Sequence, residues 1–279
     1  MVWKIGRVGV VSEDQMQGQP ISASQSLGET LRVVRALLIR EMMTRYGRRN
    51  IGFAWLVAEP LILIFGIVIV WSIAKGPSIQ GAAVVPFALS GYAMLTLWRH
   101  QVLRCLSCPR DIAPLLFHRT VTLPRAFAGR FLLELVATLA ASSIAYAILR
   151  LFEICPPADD SLVVLIAWTL MGCLAFGIGL CLTGIVLLWE NFERFVHPLL
   201  YLALPLSGAF ALADWFRPAA RSLLLLSPLV HATEMLRYGM MGEHHVFHFS
   251  PAYLAAAAAI ALLAGLGLLR LGQQRAQWS

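Results

Sequence analysis

Between Leu162 and Leu188 the chain runs for 27 residues without one Asp, Glu, Lys or Arg. A helix needs about 20 apolar residues to cross the ~30 Å hydrocarbon layer of a bilayer, so this run is long enough to span. The whole chain agrees with that reading. It is 59% hydrophobic and only 13% charged over 279 residues, with a mean hydropathy of +0.73, too little polar surface to cover a soluble globule of its size. The same ruler marks spans over about 54–74, 84–104, 126–149, 162–188, 195–213 and 252–270. The fold class expected is therefore an all-α integral membrane protein with six transmembrane helices.

Charge sets the orientation. Arg99, Arg104, Arg110, Arg119, Arg125 and Arg130 run from the end of the second span to the start of the third, whereas the loop from Lys75 to Ala83 holds only Lys75 and the loop from Arg150 to Ser161 only Arg150. Basic loops stay in the cytosol, so both termini fall inside and residues 1–26 read as a cytosolic tail. The net charge of +7 recurs at the ends of apolar runs, which points to anionic lipid headgroups as partner and not to nucleic acid. Arg45, Arg48 and Arg49 form such a lipid-interface cluster ahead of the first span. Gly47 and Gly52 are expected to permit the bend there, and Pro60 to sit in the first turns of the spanning helix.

Two segments are neither spans nor loops. Leu27, Leu31, Val34, Leu38 and Met42 share a helical stripe, the pattern of a helix lying in the cytosolic interface over 27–46. Residues 214–250 are too short in apolar content to cross and too apolar for an open loop; a re-entrant pair and an interfacial helix both fit.

Chemistry is sparse. The only lysines are Lys4 and Lys75, and neither stands in a phosphate-cradling G-x-x-x-x-G-K-[ST] loop. Cys105 and Cys108 form an isolated CLSC, and five cysteines give no disulfide framework. His244, His245 and His248 offer ligand-type side chains without an accompanying metal motif, and they carry the one enzyme reading, an intramembrane one. Charges inside apolar runs say more, because they must face protein, water or the interface. Glu59 and Glu134 are two; Glu134 lies one turn beyond Arg130, at the spacing of a local ion pair. His231, Glu234 and Arg237, at i, i+3 and i+6, form a polar ridge, an outer gate or a structural network between helices, or the lining of a polar path.

Four blocks carry a resemblance. RYGRRNIGFAWLVAEPLI (45–62), SGYAMLTLWRH (90–100), LPRAFAGRFLLE (123–134) and LSPLVHATEMLRYG (226–239) resemble, in order, the permease subunit of ABC-type capsular polysaccharide exporters of the type-2 exporter superfamily. The resemblance implies a homodimer in the bacterial inner membrane, served by two separate ATPase subunits that hold the ATP and Mg. The permease itself binds no cofactor or metal and has no catalytic residue. It implies a lipid-linked, acidic polysaccharide as cargo, or else O-antigen, teichoic acid or a small drug, and leaves room for a periplasmic or outer-membrane export partner. It also implies a coupling helix within 110–121, where Arg110, Asp111, Leu115, Leu116, Phe117 and Arg119 would meet the ATPase. Trp55, Glu59, Tyr92, Trp98, Glu134 and Tyr201 are then the candidates for the substrate pathway, the aromatic ones as platforms for sugar rings.

Overall fold

In the computed structural model, residues 28, 32, 34–36, 38–41, 51–113, 122–242 and 245–278 are described. Arg45, Arg48, Arg49, Leu115, Leu116, Phe117, Arg119 and His244 lie outside them, as do the tail 1–26 and most of the expected coupling segment. The architecture is all-α apart from one two-residue hairpin. Helix α1 spans Ile51–Lys75. Strands β1 (Ser78–Ile79) and β2 (Ala82–Ala83) pair antiparallel and return the chain into α2, Val84–Ile112. Then come α3 (Leu123–Leu151), α4 (Ser161–Leu188), α5 (Glu193–Leu202), α6 (Pro218–Leu224), α7 (Pro228–Met241) and α8 (Pro251–Trp278).

Of these, α1, α3, α4 and α8 contain apolar windows long enough to cross a membrane. Helix α2 has the length, 29 residues, but its second half carries Arg99, His100, Arg104 and Arg110. Helix starts follow elementary capping rules. The Asp160 side chain accepts the N–H groups of Leu162 and Val163 at the head of α4, and proline occupies the first turn of α3, α6 and α7, where its missing N–H costs nothing.

Helices α4 and α8 are the most closely joined pair, and glycine explains why. Gly177 and Gly184 lie seven residues apart, two turns on one face, and a Cβ on either would come within 2.6 Å of the α8 backbone. Gly265 and Gly272 answer from α8, facing Gly177 O and Gly184 O at 2.8 and 3.1 Å from an added Cβ. Small residues let helix backbones touch where no hydrophobic force drives them together. Helix α2 packs on α4 and α3 and buries Phe87, Leu89, Met94, Leu97 and Trp98, and α1 packs on α2 and α3 and buries Ile64 and Val68.

Three expectations need correction. Residues 195–213 are not one helix: α5 stops at Leu202, a 3-10 turn covers Pro205–Ser207, and Gly208 takes a left-handed φ of 72°. Ten residues rise only ~15 Å, about half the hydrocarbon thickness. Pro60 sits ten residues into α1 rather than in its first turns, and Gly52 is within that helix. Arg110 and Asp111 close α2 rather than open a separate helix.

Candidate functional site

The short helices gather ionisable side chains at two levels. At one end, the turn at Gly208 leaves carbonyls without helical donors, and backbone acceptors must be satisfied once buried. Arg237 of α7, 0% exposed, supplies the donors. One terminal nitrogen donates to Gly208 O at 2.7 Å and Ala211 O at 3.2 Å, the other to Ala209 O at 2.7 Å. Its guanidinium lies 3.9 Å above the Phe87 ring, a stacking that also favours the cation. Gly91 makes the approach possible, since a Cβ there would stand 2.4 Å from Ala209 O.

Glu234, one turn back, accepts the N–H of Ala213 at 3.0 Å and of His248 at 3.1 Å. His231 completes the ridge. Its Nδ1 accepts Ser250 N–H at 3.0 Å and its Nε2 lies 2.8 Å from Leu225 O, an arrangement that the neutral Nε2–H tautomer satisfies. Thr233 donates to Ser207 O. The ridge read from spacing makes a structural network: Arg237 and Glu234 fasten residues 208–213 to α7, and Glu234 and His231 fasten residues 248–250. His248, drawn from the histidine cluster, sets Nε2 3.2 Å from Asp214, which also pairs with Arg221 at 2.9 Å.

At the other end stands Arg130 of α3, 4% exposed. It donates to Arg104 O and Ser107 Oγ of α2 and to the Asp111 carboxylate at 2.7 Å, and it pairs with Glu41 at 3.0 Å. One guanidinium therefore joins α3, the end of α2 and the helical residues 38–41. Glu134 reaches across to Arg104 Nε at 3.3 Å and His100 Nδ1 at 3.6 Å, both on α2, so these ionic contacts run between helices. Arg110 pairs with Glu193 at the head of α5.

The pathway candidates separate by exposure. Trp98 and Glu134 are 2% and 1% exposed and pack inside the protomer, so Trp98 offers no face to a sugar; this corrects its place among the platforms. Trp55 and Tyr201 are exposed, and Tyr92 and Glu59 partly so. Tyr201 carries a neighbour that spacing does not reveal: the Arg99 guanidinium lies 5.7 Å from its ring centre. Because α2 continues to Ile112, Arg99 is a mid-helix residue. Arg130, read from the sequence as a basic charge at the spacing of a pair with Glu134, takes the carboxylates of Asp111 and Glu41.

Comparison with known proteins supplies the frame for this geometry. Residues 32–241 match the ABC-2 type transporter family. The chain is 35% identical over 245 residues to the capsule polysaccharide export inner-membrane protein CtrC of Neisseria meningitidis serogroup B, covering 88% of this chain and 92% of that protein. It is 35% identical to the capsule polysaccharide export inner-membrane protein BexB of Haemophilus influenzae, over 91% and 96% of the two chains. A more distant relative is the polysialic acid transport protein KpsM of Escherichia coli, 24% identical over 86% and 93%.

Proposed function

We propose, from the premise that this chain belongs to the ABC-2 type transporter family, that it is the membrane-spanning permease subunit of an ABC exporter for capsule polysaccharide. It is a multi-pass inner-membrane protein and carries the cargo; it is not the catalyst. The observation that carries this reading is similarity along nearly the full length of both chains to capsule export permeases.

The finer features follow as part of the same proposal. Two copies associate, each with an ATPase subunit that holds ATP and Mg, and the pathway for a lipid-linked acidic glycan runs between them. Exposed apolar faces on α1, with Ile62, Leu63, Ile69, Val70 and Ile73, and on α5, with Phe195, Leu199 and Leu202, support an association through these helices. The chain crosses six times, with residues 193–213 making the fifth crossing as a half-helix continued by irregular backbone. The segment 110–121 docks on the ATPase, and the Arg130 node supports this reading by fixing Asp111 to α3 and to Glu41. A stroke delivered to the segment would reach three helices through one side chain.

The experiment is co-purification joined to export. The tagged permease should retain an ABC ATPase, and cells lacking the permease should keep their capsule polysaccharide inside. Burying a phenylalanine contributes about 1.5–3 kcal/mol, so Phe117→Ala should lower ATPase retention by about one to two orders of magnitude with normal membrane insertion. Full retention and full export in that variant would remove segment 110–121 as the coupling element.

A further inference from the structure

The arginines at the basic end of the bundle are not alike. Arg104 has Glu134, Arg110 has Glu193, and Arg130 has Asp111 and Glu41. Arg99 and Arg194 have no carboxylate partner among the described residues. Arg194 is exposed at the head of α5, where the cytosolic headgroups would accept it. Arg99 is harder to explain. It stands thirteen residues before the end of α2 and fifteen after its start, about 20 Å from either end at 1.5 Å per residue. A half-buried guanidinium in the middle of a helix, with no carboxylate beside it among the described residues, must face protein, water or the interface rather than hydrocarbon.

What surrounds Arg99 is shaped for a ligand. Its guanidinium rests on the Tyr201 ring, which holds the cation in place while leaving its in-plane N–H groups free of acceptors from the described residues. Tyr201 is 60% exposed, so the two groups present a cation and an aromatic face together on the outside of the protomer. One turn below on α5 comes His197, and one more brings Arg194, both exposed. Arg194, His197 and Tyr201 share a face at i, i+3 and i+7. The stripe leads from the Arg110–Glu193 pair at the base of α5 up to Arg99.

We infer that Arg99 and Tyr201 form an oxyanion-binding site on the translocation path, in which the guanidinium takes a phosphate or carboxylate of the exported glycan while the ring stacks on the adjoining sugar. Arg194 and His197 are the approach to it. Arg presents paired N–H donors that match the oxygens of either anion, and a ring face suits the apolar face of a pyranose. The inference rests on the export reading above and names the chemistry by which that cargo is held.

The test uses the permease–ATPase complex in membranes, with the five native cysteines replaced by alanine and His197→Cys introduced, so that Arg99 and Tyr201 remain. Two water-soluble probes of similar size are compared: anionic sulfonatoethyl methanethiosulfonate and cationic trimethylammonioethyl methanethiosulfonate. Relative to a free thiol in solution, the anionic probe should gain on the cationic one by on the order of ten-fold. Arg99→Lys should keep most of the preference, and Arg99→Gln should abolish it and export together while the ATPase still co-purifies. Protection by glycerol 3-phosphate would assign the site to a linker phosphate, and protection by glucuronate to a sugar carboxylate. No modification by either probe, a preference unchanged by Arg99→Gln, or wild-type export in that variant overturns the site. Loss of the ATPase from the unmutated complex would instead overturn the export reading.

Discussion

The guanidinium of Arg237 answers three carbonyls that the left-handed turn at Gly208 leaves without donors, and no other side chain could do so from that position. Lysine carries the charge but not the planar fork, and its ammonium cannot stack flat on Phe87. Arg237→Lys should therefore destabilise the segment 207–213 by about 2–4 kcal/mol, given that a bond to a charged group is worth about 1.5–3 kcal/mol and neighbouring bonds do not add fully. Limited proteolysis between Ser207 and Trp215, with thermal melting in detergent, measures it; wild-type resistance would show that the turn holds itself. Cys155 gives a second test outside the spans. It is 1% exposed in the loop after α3, and burial pushes its thiol up to about 11. At pH 7.4 the thiolate fraction is then on the order of 10⁻³ to 10⁻⁴, so maleimide should leave Cys155 unmodified in the folded protein, and any labelling should rise tenfold per pH unit up to about pH 11. Residue types at this scale were legible in the chain, partners were not. His231, Glu234 and Arg237 announce themselves by helical spacing. What they bind is non-helical backbone 6 to 29 residues away, which spacing cannot reveal.

At the scale of elements, the glycine pairs of α4 and α8 permit an internally controlled comparison. A side chain at Gly265 would meet Leu180 Cβ at 2.7 Å, whereas Gly267 has nothing within 4 Å. Gly265→Leu should lower stability by about 1–3 kcal/mol, the usual cost of overpacking. Gly267→Leu, on the exposed face of the same helix, should be neutral or slightly favourable through helix propensity. Equal melting temperatures for the two variants would show that α4 and α8 can separate freely. Periodicity and length made α1, α3, α4 and α8 readable, because an uninterrupted apolar run has few other options in a membrane. The same criterion misjudged 195–213. Hydropathy registers Phe195 to Leu212 as continuous, yet Pro198, Pro205 and Gly208 each weaken helical continuity, and burial by α7 allows the backbone to leave the helix there. Arg99 was hidden for another reason: it reads as one charge of a basic cluster, but α2 continues to Ile112 through four basic residues because α3 and α5 supply Glu134, Tyr201 and Glu193 beside it.

For the whole molecule, the two ionic levels and the helix directions together specify which side each loop occupies. Arg110, Asp111, Arg130 and Glu193 meet at one end, while Asp160, Asp214, Arg221 and His248 gather at the other. The second level is tied together by the backbone as well, since Asp160 N–H donates to Gly239 O at 2.9 Å and Gly239 packs directly on Val164 and Asp160. Loops bearing excess arginine remain cytosolic, so the first level is expected to face the cytosol and the second to face outward. Reporters fused after Gln80 and after Asp160 should read outside, and one after Arg110 inside. The discriminating fusion is after Trp215, because it asks whether residues 193–215 cross although only 193–202 are α-helical. Trp215 stacks on Phe87 with ring centres 5.1 Å apart, and Phe87 belongs to the start of α2, beside the hairpin that follows α1. A residue packed there shares the side of Gln80, so the Trp215 fusion should read outside. An inside signal would return α5 to the face it came from, leave α8 to start in the cytosol, and reduce the protein to five crossings or fewer, with Arg237 then on the wrong side of the membrane from Phe87, the α2 residue on which it stacks.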